Sequence, residues 1–285
     1  MQYVSLTEGD RADKMERKKS EDILMNLGKV ELHLHLDGSL DLPTAYELAK
    51  SRNVIDDTMT FEEFTNRMSV PSDNPSLEEC LKQCIEAIEK AENRDAFEKI
   101  ADELEVLKPQ GKAVTSIEEG IQVKEALELT TYTLIRNLKE LGLIYAEIRF
   151  APQLHVNKGL TQYEVLEAVV AGRNRALKDF DLLTNIICCA MTIGPAKINE
   201  EANLETVRVA KEFLGKGVCA VDLAGNEGAC PILDFKPVFD LAKELGIPYT
   251  IHAGEAGPAS NVKDAVEIMG AYRIGHGGHS TEDPE

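Results

Sequence analysis

The sequence predicts an α/β fold organised on a parallel sheet, and three observations support this. Short apolar runs with strand-like character recur along the chain: Val30 to Leu36, Ile144 to Phe150, Asn185 to Thr192, Val218 to Leu223, Tyr249 to Ile251 and Tyr272 to Gly275. Amphipathic stretches of helical period separate most of them, such as Gln162 to Asp179, Glu201 to Gly215 and Pro237 to Leu245. Strands that alternate with helices pair in parallel, because the crossover helix returns the chain to the same end of the sheet. Finally, 285 residues with 43% hydrophobic content can bury a sizeable core.

Taken in order, the elements place chemistry at one end of that sheet. Thr7 to Glu21 carry many charges and few apolar side chains. Residues 1–28 are therefore expected to be an N-terminal extension, and 29–285 one domain. The first strand lies in Lys29-Val-Glu-Leu-His-Leu-His-Leu-Asp-Gly-Ser-Leu40. Side chains at i and i+2 of a strand share a face, so His33 and His35 can offer imidazole nitrogens to one metal ion.

The connection to the second strand (about residues 41–141) is long and helical, for example over Ser76 to Ala91, Asp95 to Leu107 and Val123 to Leu141. An insertion of that length commonly caps a site. On the second strand Glu147 and Arg149 share one face and are expected to pair with each other as structural residues. The third contains adjacent Cys188 and Cys189 in an apolar run. Six cysteines in a chain of this length do not form a disulfide framework and are read as reduced thiols.

The last three strands run into Asp222-Leu-Ala-Gly-Asn-Glu-Gly228, Ile251-His-Ala-Gly-Glu-Ala-Gly257 and Arg273-Ile-Gly-His-Gly277. In parallel α/β folds, sites assemble at the carboxyl ends of strands, so these segments are expected to converge with the first on one mouth. Asp222 is read as an interior strand carboxylate outside the site.

Charge excludes some partners. Fifty acidic against 31 basic residues leave a net charge of -19, which repels a phosphate backbone and supplies no basic patch for an anionic membrane. No segment has the apolar length of a membrane span and the N-terminus has no apolar signal core, so a cytoplasmic location is expected.

His-Leu-His-Leu-Asp-Gly-Ser, His-Ala-Gly-Glu and Gly-His-Gly follow in that order, each at the end of a separate strand. In this the chain resembles the adenosine deaminase family of the metal-dependent amidohydrolases, from about Lys29 to Pro284. The resemblance implies a TIM-type (β/α)8 barrel, here expected to stop after about six strands. It also implies hydrolytic deamination of adenosine and 2'-deoxyadenosine to inosine and ammonia, in purine salvage, with one Zn2+ per chain and a small purine nucleoside as partner.

By the same likeness His33, His35 and His252 ligate the zinc, which lowers the pKa of a bound water to about 7. Glu255 protonates the ring nitrogen beside the attacked carbon and so is expected in a desolvated pocket. His276 orients or deprotonates the attacking water. On the substrate side stand His35, Asp37, which hydrogen-bonds the ribose, and the backbone of Gly225, which touches the purine. The lesser alternative is that Asp37-Gly38 is simply a turn after the strand. His155 and His279 match no motif residue and are read as ordinary polar residues.

The chain also departs from the pattern. Members of the family complete the metal site with an aspartate after the eighth strand, in a Ser-Leu-Asn-Thr-Asp-Asp-Pro type motif. That motif is not found here, and Asp283-Pro284 follows Gly-His-Gly too closely to replace it. The expectation is a chain without the last two strands, one metal ligand and one catalytic carboxylate, with open sheet edges that favour aggregation.

A catalytically impaired purine- or metal-binding fragment is therefore one alternative. Another is an adenine or other purine deaminase of the same superfamily, although adenine-acting relatives usually carry Glu-Gly where this chain has Asp37-Gly38. The best match to the aromatic residues of the family's apolar lip puts Cys80 and Cys84 at that spacing, which equally suits small core-facing residues, and no role is carried over to them. The His-x-Glu and Pro-Cys-x-x-Cys signature of cytidine-deaminase zinc sites does not occur.

Overall fold

Six strands follow one another in parallel, each beside its sequence neighbour. In the computed structural model, which describes residues 27–51, 54–68 and 123–283, these are β1 (Lys29–His35), β2 (Leu143–Phe150), β3 (Leu183–Thr192), β4 (Val218–Gly225), β5 (Thr250–Ala253) and β6 (Arg273–His276). β1 to β4 form one sheet in that order, and β5 and β6 form a second. The two join through a parallel bridge between Val221 and Tyr249, with Val221 N–H donating to the Pro248 carbonyl at 3.0 Å. Sequential parallel neighbours throughout are the winding of a TIM-type barrel.

Helices cover the outside: α1 (Leu42–Ser51), α2 (Phe61–Met68), α3 (Lys124–Glu140), α4 (Gln162–Phe180), α5 (Glu200–Phe213), α6 (Lys236–Glu244) and the short α7 (Ala259–Lys263). α4 starts where Thr161 and Glu164 form a reciprocal capping box, and it stops at Asp181, whose φ of 50° breaks the helix. α3 and α4 cross so closely that a Cβ on Gly172 would lie 2.3 Å from the Glu128 carbonyl oxygen, which is why a glycine sits inside α4. Parallel strands are covered on both faces and read as continuous apolar runs. Ile186 to Ala190 on β3 are accordingly all buried.

The expected helices over Ser76 to Ala91 and Asp95 to Leu107, Cys80 and Cys84, and most of the expected N-terminal extension lie outside the described residues. Val123 to Leu141 is realised as α3. Ala45, Ala49, Ile55 and Phe64 form a small core of their own around α1 and α2, apart from the main one.

Two boundaries move in a way that matters. β5 extends through Ala253, so His252 lies inside the strand and not after it, and β6 ends on His276 while Tyr272 stays outside it, 85% exposed. The expected pairing of Glu147 with Arg149 is also corrected. Arg149 donates through Nη1 to Asp222 Oδ2 at 2.6 Å and through Nη2 to the Leu32 carbonyl at 2.8 Å, while Glu147 pairs with Arg273. Residues two apart on a strand are nearly 7 Å apart along it, whereas the curved sheet brings inward-facing partners from other strands closer. Asp222 is, as expected, a fully buried strand carboxylate with a partner, but the expectation that it stands outside the site is corrected, because its Oδ2 lies 2.9 Å from His252 Nδ1.

Candidate metal centre

The strand period makes His33 and His35 neighbours on the inner face of β1, and β5 brings His252 across to them. The Nε2 atoms of His33 and His252 are 3.0 Å apart, those of His33 and His35 3.3 Å, and those of His35 and His252 3.3 Å. Nitrogens about 2.05 Å from a tetrahedral ion stand about 3.3 Å from one another. A neutral imidazole carries one N–H and one lone pair, so three Nε2 atoms this close cannot all be satisfied by hydrogen bonds among themselves. A cation between them satisfies all three. The donor set therefore fits a zinc-type ion, and it is the one such cluster among the described residues.

The protonation behaviour agrees. Burial, then Arg149 and then the neighbouring imidazoles push His33 down to about 3. Burial, His252 and Arg149 push His35 down to about 4, against the opposing charges of Asp222 and Asp37. Both rings thus stay neutral, the form that ligates metal, well into acid. Their folded values lie below the ordinary 6.5, so between 6.5 and about 3 the unfolded chain binds more protons than the folded one. The contribution of these two rings to the urea midpoint of metal-free protein should be level above pH 6.5, fall progressively from there as the pH drops, and be exhausted below about 3. A midpoint that is flat or rises on acidification would contradict this cluster.

A buried network supports the three rings from behind. Asp222 Oδ2 lies 2.9 Å from His252 Nδ1, which turns Nε2 of that ring towards the cluster. The contact is not aligned as a hydrogen bond, and the same oxygen accepts one from Arg149. Gly275 allows β6 to approach, because a Cβ there would come within 3.1 Å of His33 Cε1.

His276 follows at φ 65°, a left-handed conformation that costs a non-glycine residue about 1 kcal/mol or more. Its ring centroid lies 4.5 Å from that of His33 and 5.1 Å from that of His252, beside the trio but not in it. Burial lowers the His276 pKa, against the raising effect of Glu255.

Glu255 sits on the loop leaving β5, with Oε2 3.5 Å from His276 Nε2. The desolvated pocket expected for it is not seen: among the described residues its side chain keeps 32% of its exposure.

Asp37 opens a 3-10 turn, Asp37–Ser39, directly after β1. The turn reading was right as to backbone, and the carboxylate still reaches inward. Its Oδ1 lies 3.0 Å from His155 Nε2, and His155 is only 2% exposed. His155 is thus a buried residue against Asp37 and not an ordinary polar one, while His279 pairs with Glu282 near the surface at 2.7 Å. Gly225 ends β4 with φ 110°, where a Cβ would lie 2.5 Å from the Thr192 carbonyl oxygen. It lines one cleft together with His252 and Glu227.

Sequence reasoning missed Glu227. Burial works to raise its pKa, but hydrogen bonds from Asn261 and from the amides of Gly254, Gly257 and Ala256 prevail and hold it below the usual carboxylate value. Its place in the Asp222 to Gly228 segment was the only signal available.

Comparison with known proteins agrees with this geometry. A family model described as adenosine deaminase matches residues 112–285. The adenosine deaminase of Clostridium perfringens (strain 13) is 35% identical over 257 residues, covering 89% of this chain and 66% of that protein. The chain thus spans just under two thirds of the length of the curated relatives it matches.

Among solved structures, a zinc-bound amidohydrolase from Burkholderia ambifaria superposes with a TM-score of 0.70 at 18% identity, over 99% of this chain and 64% of that one. An adenine deaminase from Arthrobacter aurescens gives 0.64 at 20%, over 90% and 66%. These likenesses show the TIM-type fold. Among the described residues no helix is long and apolar enough to cross a membrane.

Proposed function

The chain belongs to the adenosine deaminase family, and from that premise we propose that it hydrolyses adenosine and 2'-deoxyadenosine to inosine and ammonia. The observation that carries this reading is the meeting, at one rim, of three imidazole Nε2 atoms within 3.3 Å of one another and a carboxyl–imidazole pair, Glu255 and His276, 3.5 Å apart. His33, His35 and His252 would hold one zinc ion, which when bound supplies the Lewis acidity that makes water nucleophilic at neutral pH.

The chain's own residues divide the proton work. Glu255 gives a proton from its carboxyl to the purine ring nitrogen next to the attacked carbon, so that the ring accepts the electron pair. A purine lying over the exposed carboxyl excludes water from it and favours the neutral acid that the step needs. His276, through Nε2, orients the attacking water and takes its proton. The water oxygen bonds to the ring carbon, His276 passes the proton it took to the amino nitrogen, the bond from the ring carbon to that nitrogen breaks and ammonia leaves, and the proton of the remaining hydroxyl returns to Glu255 as the new carbonyl forms.

Asp37, steadied by buried His155, accepts a hydrogen bond from the sugar beside His35. Gly225 offers bare backbone to the base. The sugar contact favours a nucleoside over free adenine. The strongly acidic chain, with four described cysteines all free, suits a cytoplasmic enzyme acting on a small molecule and not on a nucleic acid. Residues 29–285 are read as one barrel domain whose insertion, about 41–141, caps the mouth.

Glu255→Gln tests the central role. It should lower adenosine turnover, followed by the ultraviolet change to inosine, by about 10²- to 10⁴-fold, with zinc content unchanged. A variant as fast as the parent would refute the assignment. Zinc retained by the parent chain without any turnover would instead favour a purine or metal binder.

A further inference from the structure

One carboxylate takes five hydrogen bonds just outside the metal centre. Glu227 Oε1 accepts from the amide of Gly254 at 2.7 Å and from Asn261 Nδ2 at 2.9 Å. Its Oε2 accepts from the amides of Glu255 at 3.0 Å, Ala256 at 3.0 Å and Gly257 at 2.9 Å. Four successive backbone N–H groups pointing at one anion form a nest of the kind that usually captures a phosphate. Here the anion comes from the loop after β4, and the nest is the loop that carries Glu255.

The glycines of that loop have a physical reason in this arrangement. Gly254 adopts φ 69°, which turns the chain out of β5, and a Cβ on Gly257 would lie 2.5 Å from Glu227 Oε1. Only a loop bare at both positions can wrap the carboxylate this closely. Asn261 lies in the middle of the short α7 that follows, so Glu227 ties strand exit, loop and helix together.

We infer that Glu227 is a positioning residue: it clamps the Gly254 to Gly257 loop and thereby sets where the Glu255 carboxyl stands relative to His276 and the three-histidine cluster. The inference rests on the role proposed above for Glu255. Charge-assisted bonds are the strong ones, and a loop held at four consecutive amides has little freedom left. A proton donor misplaced by about 1 Å can cost about 100-fold in rate.

The test compares the 285-residue chain with Glu227→Gln, which puts an amide donor against backbone donors, and with Glu227→Asp, which keeps the charge but is one methylene shorter. Hydrogen exchange is read at the amides of residues 254–257. It should quicken at least tenfold in Glu227→Gln, and less in Glu227→Asp, while amides of β3 and α4 keep their protection and show that both variants are folded.

In the same proteins kcat should fall about 10- to 100-fold with KM within twofold, zinc content unchanged and the pH profile of kcat displaced. In a Glu255→Gln background the Glu227→Gln change should cost little more. Unchanged exchange at the four amides overturns the inference, as does a kcat loss that merely follows loss of zinc. Absence of turnover in the parent chain would overturn the deaminase reading instead, and the exchange rates would still decide whether Glu227 holds the loop.

Discussion

His252→Ala should leave the purified protein with little or no zinc after dialysis, and with adenosine turnover reduced to the same extent. His252 supplies one of three Nε2 donors and is the only one from outside β1, so its removal leaves two rings on a single strand. Loss of an outer-shell partner alone typically lowers metal affinity 10- to 100-fold. Loss of a ligand should exceed that, to at least about 100-fold. His279→Ala is the matched control, because the His279 ring pairs with Glu282 and is no member of the three-histidine cluster, and it should keep the parent's zinc content. If His252→Ala retained one zinc per chain and the parent's rate, the metal centre as described would be wrong.

The second large effect is on stability. Asp222 is fully buried and stands between Arg149, 2% exposed, and His252. Removing one partner of such a pair leaves an uncompensated charge in the interior, and breaking a buried pair this way costs about 3–5 kcal/mol. Asp222→Ala should therefore unfold at markedly lower urea concentration, with m unchanged.

Replacing both partners, as in Asp222→Leu with Arg149→Met, should recover much of that loss, because no unpaired charge remains. Zinc affinity should stay reduced in both proteins, since His252 loses the carboxylate that orients it. A single variant destabilised by under about 1 kcal/mol would show that Arg149 is not held as the structure has it.

These two experiments probe residues that were unequally legible in the sequence. His33 and His35 were readable as a pair because a strand repeats every two residues, a local rule that holds before any tertiary contact forms. The alternation of apolar runs and amphipathic stretches similarly gave the parallel α/β winding, and element ends moved only by a few residues. Asp222 was readable as an interior carboxylate, but its partners were not. Glu147 and Arg149, two apart on β2, suggested each other and instead paired with β6 and β4.

Spacing along the chain therefore determined which side chains share a face and which loops leave the same end of the sheet. The packing of the strands against one another decided the rest: that Glu227 grips a loop 27 residues away, and that His155 is buried against Asp37. Periodicity is fixed by the geometry of one strand. Contacts between strand exits depend on barrel curvature, on the handed turns at Gly254 and His276, and on packing across the interior, none of which is encoded within any single segment.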